Sequence, residues 1–267
     1  MGAMIAIVPK TTDTAGDDST AMVTGELKKS GISPVFINLD EIDPFSTDID
    51  GMVIWVCGMR QDEHQFEVLD ALSVNNKIIN SPAAIVTCAS KVKTSAHLQK
   101  SGIRSPDTCF TASKNLAGAF IARFGAVVYK PVYGYDGNGI RKITSPQELG
   151  DGPYYLQEYI KNDRDYRVFV IKGEAVGAIV RQSDSLAHNI HQGGHGRAVD
   201  VSVAMNEIAG AAADAVGADY GGVDLLEDGD GYTVLEVNGT PNWHCMSAPI
   251  PRLLADYIVM QEREYRR

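Results

Sequence analysis

The chain has 267 residues, of which 44% are hydrophobic and 22% are charged, and its formal net charge is −10. This composition is typical of one large or two small globular domains and excludes disordered, collagenous and fibrous chains. A phosphate-neutralising basic surface supplies most of the affinity for nucleic acid, so the acidic balance argues against a nucleic-acid partner.

The apolar runs are short. The longest, such as residues 121–128, end well before the roughly 18 residues that a membrane helix needs, and Met4 to Val8 is too short for a signal-peptide core. The cysteines form no C-x-x-C pair, which disfavours a zinc ribbon, a thioredoxin site and a disulfide scaffold. These cysteines are Cys57, Cys88, Cys109 and Cys245. We therefore expect a cytoplasmic protein with reduced thiols and no membrane partner.

The first third alternates short β-branched runs with amphipathic segments, which is typical of βαβ units and predicts a small parallel sheet. Strands are predicted at residues 4–8, 34–38, 51–56 and 77–80, and helices at residues 20–29 and 63–72. Ser81-Pro82 then favours a helix start, and Ser90 favours a second helix that runs to Gln99 and ends at Gly102. Residues 102–106 are interpreted as a linker.

From Asp107 onward the pattern changes to longer strands joined by hairpins, which predicts an antiparallel sheet. Strands are predicted at residues 126–131, 140–144, 154–159, 166–171, 174–181, 220–226 and 233–238. Helices are predicted at residues 203–216 and 253–264. The expected class is α/β, with an α+β C-terminal half.

A glycine-rich turn follows Lys130 and contains Gly134, Gly137 and Gly139. Consecutive free backbone N–H groups in such a turn can hold phosphate oxygens, and Lys130 adds a mobile positive charge. Asp-Gly and Asn-Gly dipeptides in the same segment are equally typical of a plain hairpin turn. The residues alone leave both interpretations open.

Three oxygen-bearing side chains fall on the last predicted hairpin. Glu236 and Asn238 share one face because strand side chains alternate, and the turn centre brings Asp224 opposite them. The surrounding hairpin is apolar, and carboxylates are rare in such an environment unless a partner compensates their charge. A bound Mg²⁺ would compensate it and remove the repulsion between the two carboxylates. A solvated sheet face is the alternative.

Two further segments are polar. The strand end at Gln157, Glu158, Tyr159 and Ile160 offers backbone groups for a purine edge, with Asp165 able to accept from ribose, although a surface strand explains the same residues. The segment from Arg181 to Arg197 carries His188, His191 and His195 without helical signals, so a mobile polar loop over an active site fits better than a zinc site.

In their order and spacing these sets resemble the ATP-grasp superfamily, most closely its RimK-like branch of α-L-glutamate and amino-acid ligases. The resemblance covers residue 77 to the C-terminus, and the first third matches in organisation only. The matching stretches are Asn80-Ser81-Pro82-Ala83-Ala84-Ile85, Lys91, Val128-Tyr129-Lys130-Pro131, Gln157-Glu158-Tyr159-Ile160, Asp165-Tyr166-Arg167, Asn189 before Gly193-Gly194, Gly222-Val223-Asp224 and Glu236-Val237-Asn238.

The resemblance implies an ATP-grasp fold in which an N-terminal parallel α/β domain precedes two α+β subdomains that clasp ATP. The expected divisions are residues 1–90, 91–158 and 159–267. It also implies site roles. Phosphates would contact Lys91, Lys130 and the loop glycines; the nucleotide would contact Gln157, Glu158, Tyr159, Ile160, Asp165, Arg167 and Asn189; and two Mg²⁺ or Mn²⁺ ions would be held by Asp224, Glu236 and Asn238.

The implied reaction is phosphorylation of a substrate carboxylate by ATP, followed by attack of an amine to form an amide. Such chemistry needs positioning and charge neutralisation more than a nucleophile. Besides Lys130, Arg181 is the candidate catalytic residue, because a guanidinium suits planar oxyanions. A surface ion pair is the alternative for Arg181.

The sequence departs from the family pattern at Ser90, Ala187 and Gln192, and residues 239–245 lack the proline-glycine turn of protein-modifying members. The departures concern the acceptor, so we expect a ligase that adds L-glutamate to a small molecule, such as a tetrahydromethanopterin-type or deazaflavin cofactor. The alternatives are a lysine- or arginine-biosynthesis ligase that acts on a carrier-protein glutamate, and a nucleotide-binding module without turnover. A homo-oligomer, either a dimer or a tetramer, stays open.

Overall fold

The computed structural model describes residues 4–14, 18–132, 139–182 and 195–267. Within these ranges the strands are β1 (Ile5–Val8), β2 (Val35–Phe36), β3 (Val53–Val56), β4 (Lys77–Ile79), β5 (Thr108–Thr111), β6 (Val127–Lys130), β7 (Arg141–Ile143), β8 (Tyr154–Glu158), β9 (Arg164–Ile171), β10 (Glu174–Gln182), β11 (His195–Val199), β12 (Tyr220–Asp228) and β13 (Gly231–Asn238). The α-helices are α1 (Ser19–Lys29), α2 (Glu63–Ser73), α3 (Pro82–Ala89), α4 (Lys91–Lys100), α5 (Lys114–Phe124), α6 (Val203–Ala215) and α7 (Ile250–Tyr265).

The first sheet is parallel, as predicted, with the order β2-β1-β3-β4. Every residue of β1 and β3 is buried, since helices cover both faces. One face packs against α2, and the other packs against α1 and α7. Ser81 and Ser90 cap α3 and α4 through their hydroxyl oxygens, so the predicted helix starts are confirmed.

The second sheet is antiparallel and has the order β5-β8-β6-β7. The sequence analysis predicted no element between residues 107 and 125, and so missed β5 and α5. Helical signals are present, because Ser113 caps α5 and Gly125 ends it with a φ of +70°. These signals are hard to recognise in the sequence, because the apolar run 121–128 contains both the end of α5 and the start of β6.

The third sheet is antiparallel and has the order β11-β10-β9-β12-β13. The β9–β10 hairpin turns at Lys172 and Gly173, whose φ values of 52° and 74° suit a tight two-residue turn. Helix α6 covers one face of the sheet and fills the core with small side chains. β11 was missed by the sequence analysis, which assigned its residues to a loop.

The opposite face of the third sheet packs against the first sheet. Phe169 and Tyr220 share one core with Trp55 and with Ile250 of α7. The Tyr220 hydroxyl donates to the Val56 carbonyl at 2.6 Å. The C-terminal helix therefore completes the core of the N-terminal sheet, which fixes the ends of β12 and β13 relative to it.

The first sheet ends at Ile79 and the second begins at Thr108; the second ends at Glu158 and the third begins at Arg164. The division of the chain at residues 90 and 158 stays a prediction. Among the helices of the part that the structure describes, none is long and apolar enough to span a bilayer.

Candidate active site

Three neighbouring strands of the third sheet place charged residues side by side. Arg167 of β9 lies opposite Asp224 of β12, and Asp224 lies opposite Glu236 of β13. Asn238 lies two residues further along β13, opposite Gly222, and therefore on the same face as Glu236. The three residues predicted to hold metal thus occupy neighbouring positions on β12 and β13.

Four charged residues of this sheet form an ionic chain, in which Asp165, Arg181 and Asp224 are buried and Arg167 is partly buried. Arg167 donates to both carboxylate oxygens of Asp224, with Nη2 at 3.0 Å from Oδ2. Arg181 Nη2 lies 3.0 Å from the same Oδ2, and Arg181 Nε donates to Asp165 Oδ1 at 2.6 Å. Each charge contacts at least one opposite charge, which offsets the cost of removing it from water.

Arg181 is only 5% exposed, so the surface ion pair considered for it is wrong; the ion pairs it forms are buried. Burial raises the pKa of the Asp224 carboxyl, but the attraction of Arg167 and Arg181 outweighs burial and holds it well below its usual range. Asp224 is therefore ionised at every physiological pH, and both guanidinium groups are fixed by it.

Lys130 ends β6 in the second sheet, and its side chain is 8% exposed. Burial lowers the pKa of Lys130, the negative charge of Glu236 opposes that effect, and the positive charge of Lys91 adds to it. Lys91 begins α4, and its backbone N–H donates to the Val132 carbonyl at 3.4 Å. Lys130 therefore lies near Glu236 and near Lys91, the other lysine predicted to bind phosphate.

Gly222 is a functional position that the sequence analysis named only as part of a matching stretch. A Cβ atom at Gly222 would lie 2.9 Å from Cδ of Arg167 and 2.8 Å from Cβ of Pro241. Because Gly222 has no side chain, the Arg167 side chain can lie over β12 at this position and reach Asp224 on the same strand. A glycine two residues before a strand carboxylate is the sequence signal that could have indicated this contact.

The predicted adenine-binding stretch forms the end of β8. Gln157 is buried, and its side-chain amide donates to the Thr108 hydroxyl at 3.3 Å. The backbone N–H groups of Glu158 and Tyr159 donate to the carbonyls of Asp107 and Ala126. These two donors are thus used within the protein, while the side chains of Glu158, Tyr159 and Ile160 are partly exposed.

Several predicted residues lie outside the described residues: Gly134, Gly137, Asn189, His188 and His191. Residues 183–194 of the predicted loop over the site also lie outside the described residues. Gly139 is described; it has a φ of +75°, and a Cβ there would lie 3.0 Å from Cγ of Pro131. A left-handed backbone in that space favours glycine.

The oxygen donors of Asp224, Glu236 and Asn238 determine whether Mg²⁺ fits at this site. Among the described residues no three His, Cys, Asp or Glu side chains lie close enough to hold a metal, so the predicted site relies on the Asn238 amide in addition to two carboxylates. The Asn238 amide nitrogen donates to the Gly222 carbonyl at 3.2 Å, which leaves its side-chain oxygen to contact a cation. Glu236 and Asn238 thus fit Mg²⁺, and Asp224 would share its carboxylate between the cation and two arginines.

Comparison with known proteins identifies relatives by sequence. A RimK-like ATP-grasp domain matches residues 88–258. Tetrahydromethanopterin:alpha-L-glutamate ligase of Methanococcus maripaludis is 32% identical over 221 residues, covering 76% of each chain. Alpha-aminoadipate–LysW ligase LysX of Sulfurisphaera tokodaii is 30% identical over 204 residues, covering 69% of this chain and 72% of LysX.

Solved structures share the fold. ATP-grasp ligase PsnB complexed with minimal precursor, Mg and ADP is 21% identical, has a TM-score of 0.75 and covers 97% of both chains. A RimK domain ATP-grasp protein from Sphaerobacter thermophilus has a TM-score of 0.72 at 19% identity, covering 96% of this chain and 99% of that one. Since sequence and fold agree, the chain belongs to the RimK-like ATP-grasp family and is an ATP-dependent carboxylate–amine ligase.

Proposed function

We propose that the protein joins L-glutamate to a carboxylate of a small molecule or cofactor, using ATP and forming an acyl phosphate on the way. The single observation that carries this proposal is the convergence of four cationic side chains with hard oxygen donors. Lys130 lies near Glu236 and Lys91, while Arg167 and Arg181 contact Asp224. Phosphoryl transfer depends on such positioning and charge neutralisation.

The proposed reaction has two chemical steps. A carboxylate oxygen attacks the γ-phosphorus of ATP, the bond to ADP breaks, and an acyl phosphate forms. The amine nitrogen then attacks the carbonyl carbon, the C–N bond forms, phosphate leaves with the C–O electrons, and the amine loses a proton. No covalent bond to the protein is required.

Roles follow from the geometry. Lys91 and Lys130 would bind the phosphates, and Arg181 would stabilise the charge of the acyl phosphate through N–H groups that Asp165 and Asp224 do not use. Glu236, Asn238 and Asp224 would hold two Mg²⁺ ions, with Mn²⁺ as a substitute. Cations bound there would neutralise phosphate charge and orient the transferred group.

The nucleotide base would lie at the end of β8, beside Glu158, Tyr159 and Ile160, with Gln157 fixing the strand end from behind. Because the N–H groups of Glu158 and Tyr159 are already donated, a purine would contact these residues through acceptor groups and partly exposed side chains. Gly139 would close the phosphate-binding turn. The loop residues Gly134, Gly137 and Asn189 are part of the same proposal.

The acceptor proposal is supported by the relatives that are named tetrahydromethanopterin:alpha-L-glutamate ligase. Residues 239–245 follow Asn238 directly, and Trp243 of this segment packs edge-on against Phe169, with ring centroids 5.8 Å apart. The segment therefore shapes the surface beside the site. A pterin-type or deazaflavin carboxylate is the acceptor class that we propose.

The LysX relative supports a second candidate, a lysine- or arginine-biosynthesis ligase that acts on a glutamate of a carrier protein. An acidic carrier would dock best on a basic surface, and the net charge of −10 opposes such docking. A non-catalytic nucleotide-binding role is disfavoured because binding alone does not require the full set of oxygen donors.

A screen for ADP release tests the proposal. The purified protein is incubated with ATP and Mg²⁺, with glutamate as the amine, and with a pterin, a deazaflavin or a carrier protein as the acceptor. We expect ADP release only when carboxylate and amine are both present, and an amide product by mass spectrometry. ADP release with the carrier protein but with neither the pterin nor the deazaflavin would favour the second candidate. ADP release without any acceptor would contradict both candidates.

Glu236→Gln is the sharpest variant for this function. It removes a charge without creating a cavity, so we expect turnover to fall at least about a hundredfold while the unfolding temperature stays unchanged. Glu227→Gln is the matched control, because Glu227 lies on the same hairpin, is exposed and accepts a hydrogen bond from the Tyr166 hydroxyl at 2.8 Å, away from the proposed cation site. Full turnover by Glu236→Gln would contradict the proposed cation site.

A further inference from the structure

We propose that Ser95 and Tyr155 are positioning residues, and that the hydrogen bond between them holds Lys91 close to Lys130 before the nucleotide binds. The inference rests on the proposed function, because it takes the two lysines as the groups that contact the phosphates of ATP. It goes beyond that function because neither Ser95 nor Tyr155 has a role there. The bond joins α4 to the second sheet.

Tyr155 lies in the second sheet, directly beside Lys130. It belongs to β8, and its register partner on β6 is Lys130, so the two side chains project from the same face of the sheet. The Tyr155 side chain is 1% exposed. The neighbouring residues Tyr154 and Leu156 project from the opposite face, which packs against α5. Tyr155 and Lys130 therefore share the face that α5 does not cover.

Helix α4 contacts the second sheet with its first two turns. Lys91 is the first residue of α4, and residues four apart lie on the same side of a helix, so Ser95 lies on the same side as Lys91. The Ser95 hydroxyl lies 2.7 Å from the Tyr155 hydroxyl. The backbone N–H of Lys91 donates to the Val132 carbonyl, two residues beyond Lys130. Two hydrogen bonds therefore join the beginning of α4 to the second sheet.

The C-terminal half of α4 belongs to a different core. Leu98 is buried in the apolar cluster formed by α6 and the third sheet. His97 Nδ1 lies 2.9 Å from the carbonyl oxygen of Ala215 at the end of α6. Helix α4 therefore bridges the second sheet, which carries Lys130, and the third sheet, which carries Glu236.

Like charges oppose the approach of the two lysines. Burial lowers the pKa of Lys130, the charge of Glu236 opposes that effect, and the positive charge of Lys91 adds to it. Repulsion between Lys91 and Lys130 favours separation of α4 from β6 when no phosphate lies between them. The Ser95–Tyr155 bond opposes that separation. It thus raises the fraction of molecules that have both lysines in place, and the apparent affinity for the nucleotide is proportional to that fraction.

Ser95→Ala is the variant that removes this bond most selectively. Burial raises the pKa of Tyr155 to about 12, while hydrogen bonds with Ser95, Thr108 and Gln157 lower it. Removing the Tyr155 hydroxyl would therefore also disturb Gln157 on the strand that is predicted to bind adenine. Ser95 is only partly buried and alanine favours helix, so Ser95→Ala should leave the fold intact.

Binding of ADP and of adenosine tests the inference. The dissociation constant of ADP with Mg²⁺ is measured by calorimetry for the wild type and for Ser95→Ala, and that of adenosine by competition with ADP. We expect the ADP constant to rise about three- to tenfold, as for the loss of one hydrogen bond, and the adenosine constant to change less than about twofold. Equal losses for both ligands, or no loss for ADP, would overturn the inference.

A double-variant cycle tests the route through Lys91. If Ser95 acts by holding Lys91, adding Ser95→Ala to Lys91→Met should weaken ADP binding no further, whereas independent roles would multiply the two losses. Tyr155→Phe should reproduce the loss of ADP affinity. Tyr154→Phe is the matched control, because it removes a hydroxyl from the next residue of β8, where the partner is the Gly150 carbonyl at 2.9 Å and not α4. Losses that multiply in the double variant, or an equal loss in Tyr154→Phe, would contradict the proposed positioning.

The outcomes separate this inference from the function that it assumes. A wild-type protein that releases no ADP with any carboxylate and amine would overturn the proposed function, and the binding measurements, which need no acceptor, would still decide the role of Ser95. An active wild-type ligase whose ADP affinity is unchanged by Ser95→Ala would overturn the inference alone.

Discussion

The first and third sheets use their interiors differently. In the parallel sheet, β1 and β3 are buried along their whole length and contain only apolar side chains. In the antiparallel sheet, β9, β10 and β12 carry the ionic chain described above, in which Asp165, Arg181 and Asp224 are almost completely buried. Buried ion pairs contribute little net stability compared with apolar packing. The comparison indicates that the first sheet serves stability and that the third serves chemistry.

Asp224→Asn should give the largest effect, because it removes the carboxylate that both Arg167 and Arg181 contact. We expect the free energy of unfolding to fall by about 3–5 kcal/mol, as when one partner of a buried pair is removed, and turnover to be lost. Chemical denaturation measures the stability. Asp228→Asn is the control, since its partner Arg104 is 40% exposed and that pair should contribute about 1 kcal/mol or less. Equal losses from the two variants would contradict the comparison.

Leu69→Ala probes the apolar sheet. Leu69 of α2 is fully buried against β1 and β3, so the cavity should cost about 2–5 kcal/mol. Because Leu69 belongs to an apolar cluster that contains none of the described charged residues of the site, we expect kcat per folded molecule at low temperature to stay within about twofold of wild type. A large loss of kcat in folded protein would mean that the first sheet also tunes the chemistry.

Gly222→Ala tests the close approach between Arg167 and β12. The added methyl group would have to displace Cδ of Arg167 or Cβ of Pro241, and overpacking of this kind costs about 1–3 kcal/mol. Displacement of Arg167 should also lower turnover. Gly221→Ala is a nearby control, since a Cβ there meets its nearest atom at 3.3 Å instead of 2.8 Å. Turnover that falls equally in both variants would point to general strain in β12.

The smallest expected effect is the contribution of Lys130 to the pH dependence of activity. Since burial lowers the pKa of Lys130 below the ordinary 10.5, Lys130 loses its charge at a lower pH than other lysines. We expect kcat/KM for ATP to decline on the alkaline side below pH 10.5 and this decline to disappear in Lys130→Arg, if the variant remains active.

Stability should respond to Lys130 with the opposite sign. Between its pKa in the folded protein and its higher pKa in the unfolded chain, the unfolded state binds more protons, so this residue's contribution to stability rises with pH. Denaturation of wild type and Lys130→Met across this range measures the difference. A wild-type contribution that falls with pH would contradict the burial effect.

Periodicity and capping residues predicted most elements of the first and third sheets. Ser81, Ser90 and Gly102 marked helix ends, and the turn at Lys172-Gly173 marked the β9–β10 hairpin. The prediction failed at α5 because a continuous apolar run contains both its end and the start of β6. It failed at β5 because that strand lies at the edge of its sheet and is only partly buried, so it lacks a clear apolar pattern.

The ion pairs could not be predicted because two β-bulges set their register. A regular hairpin about residues 172 and 173 would place Val180 opposite Asp165, whereas the irregularity between Ala175 and Gly177 places Arg181 there. The irregularity between Asp224 and Leu225 likewise brings Glu236 opposite Asp224. A bulge depends on packing around the extra residue, so the sequence pattern does not reveal which charges meet.

The shared core of the first sheet and α7 limits how this enzyme can be recombined with its relatives. The two ends of the polypeptide are more than two hundred residues apart along the chain, yet Ile5 and Ile258 belong to one cluster. Chimaeras intended to transplant acceptor preference must therefore exchange both termini together. Replacing the amino-terminal segment alone would leave the foreign sheet without the helix that seals it.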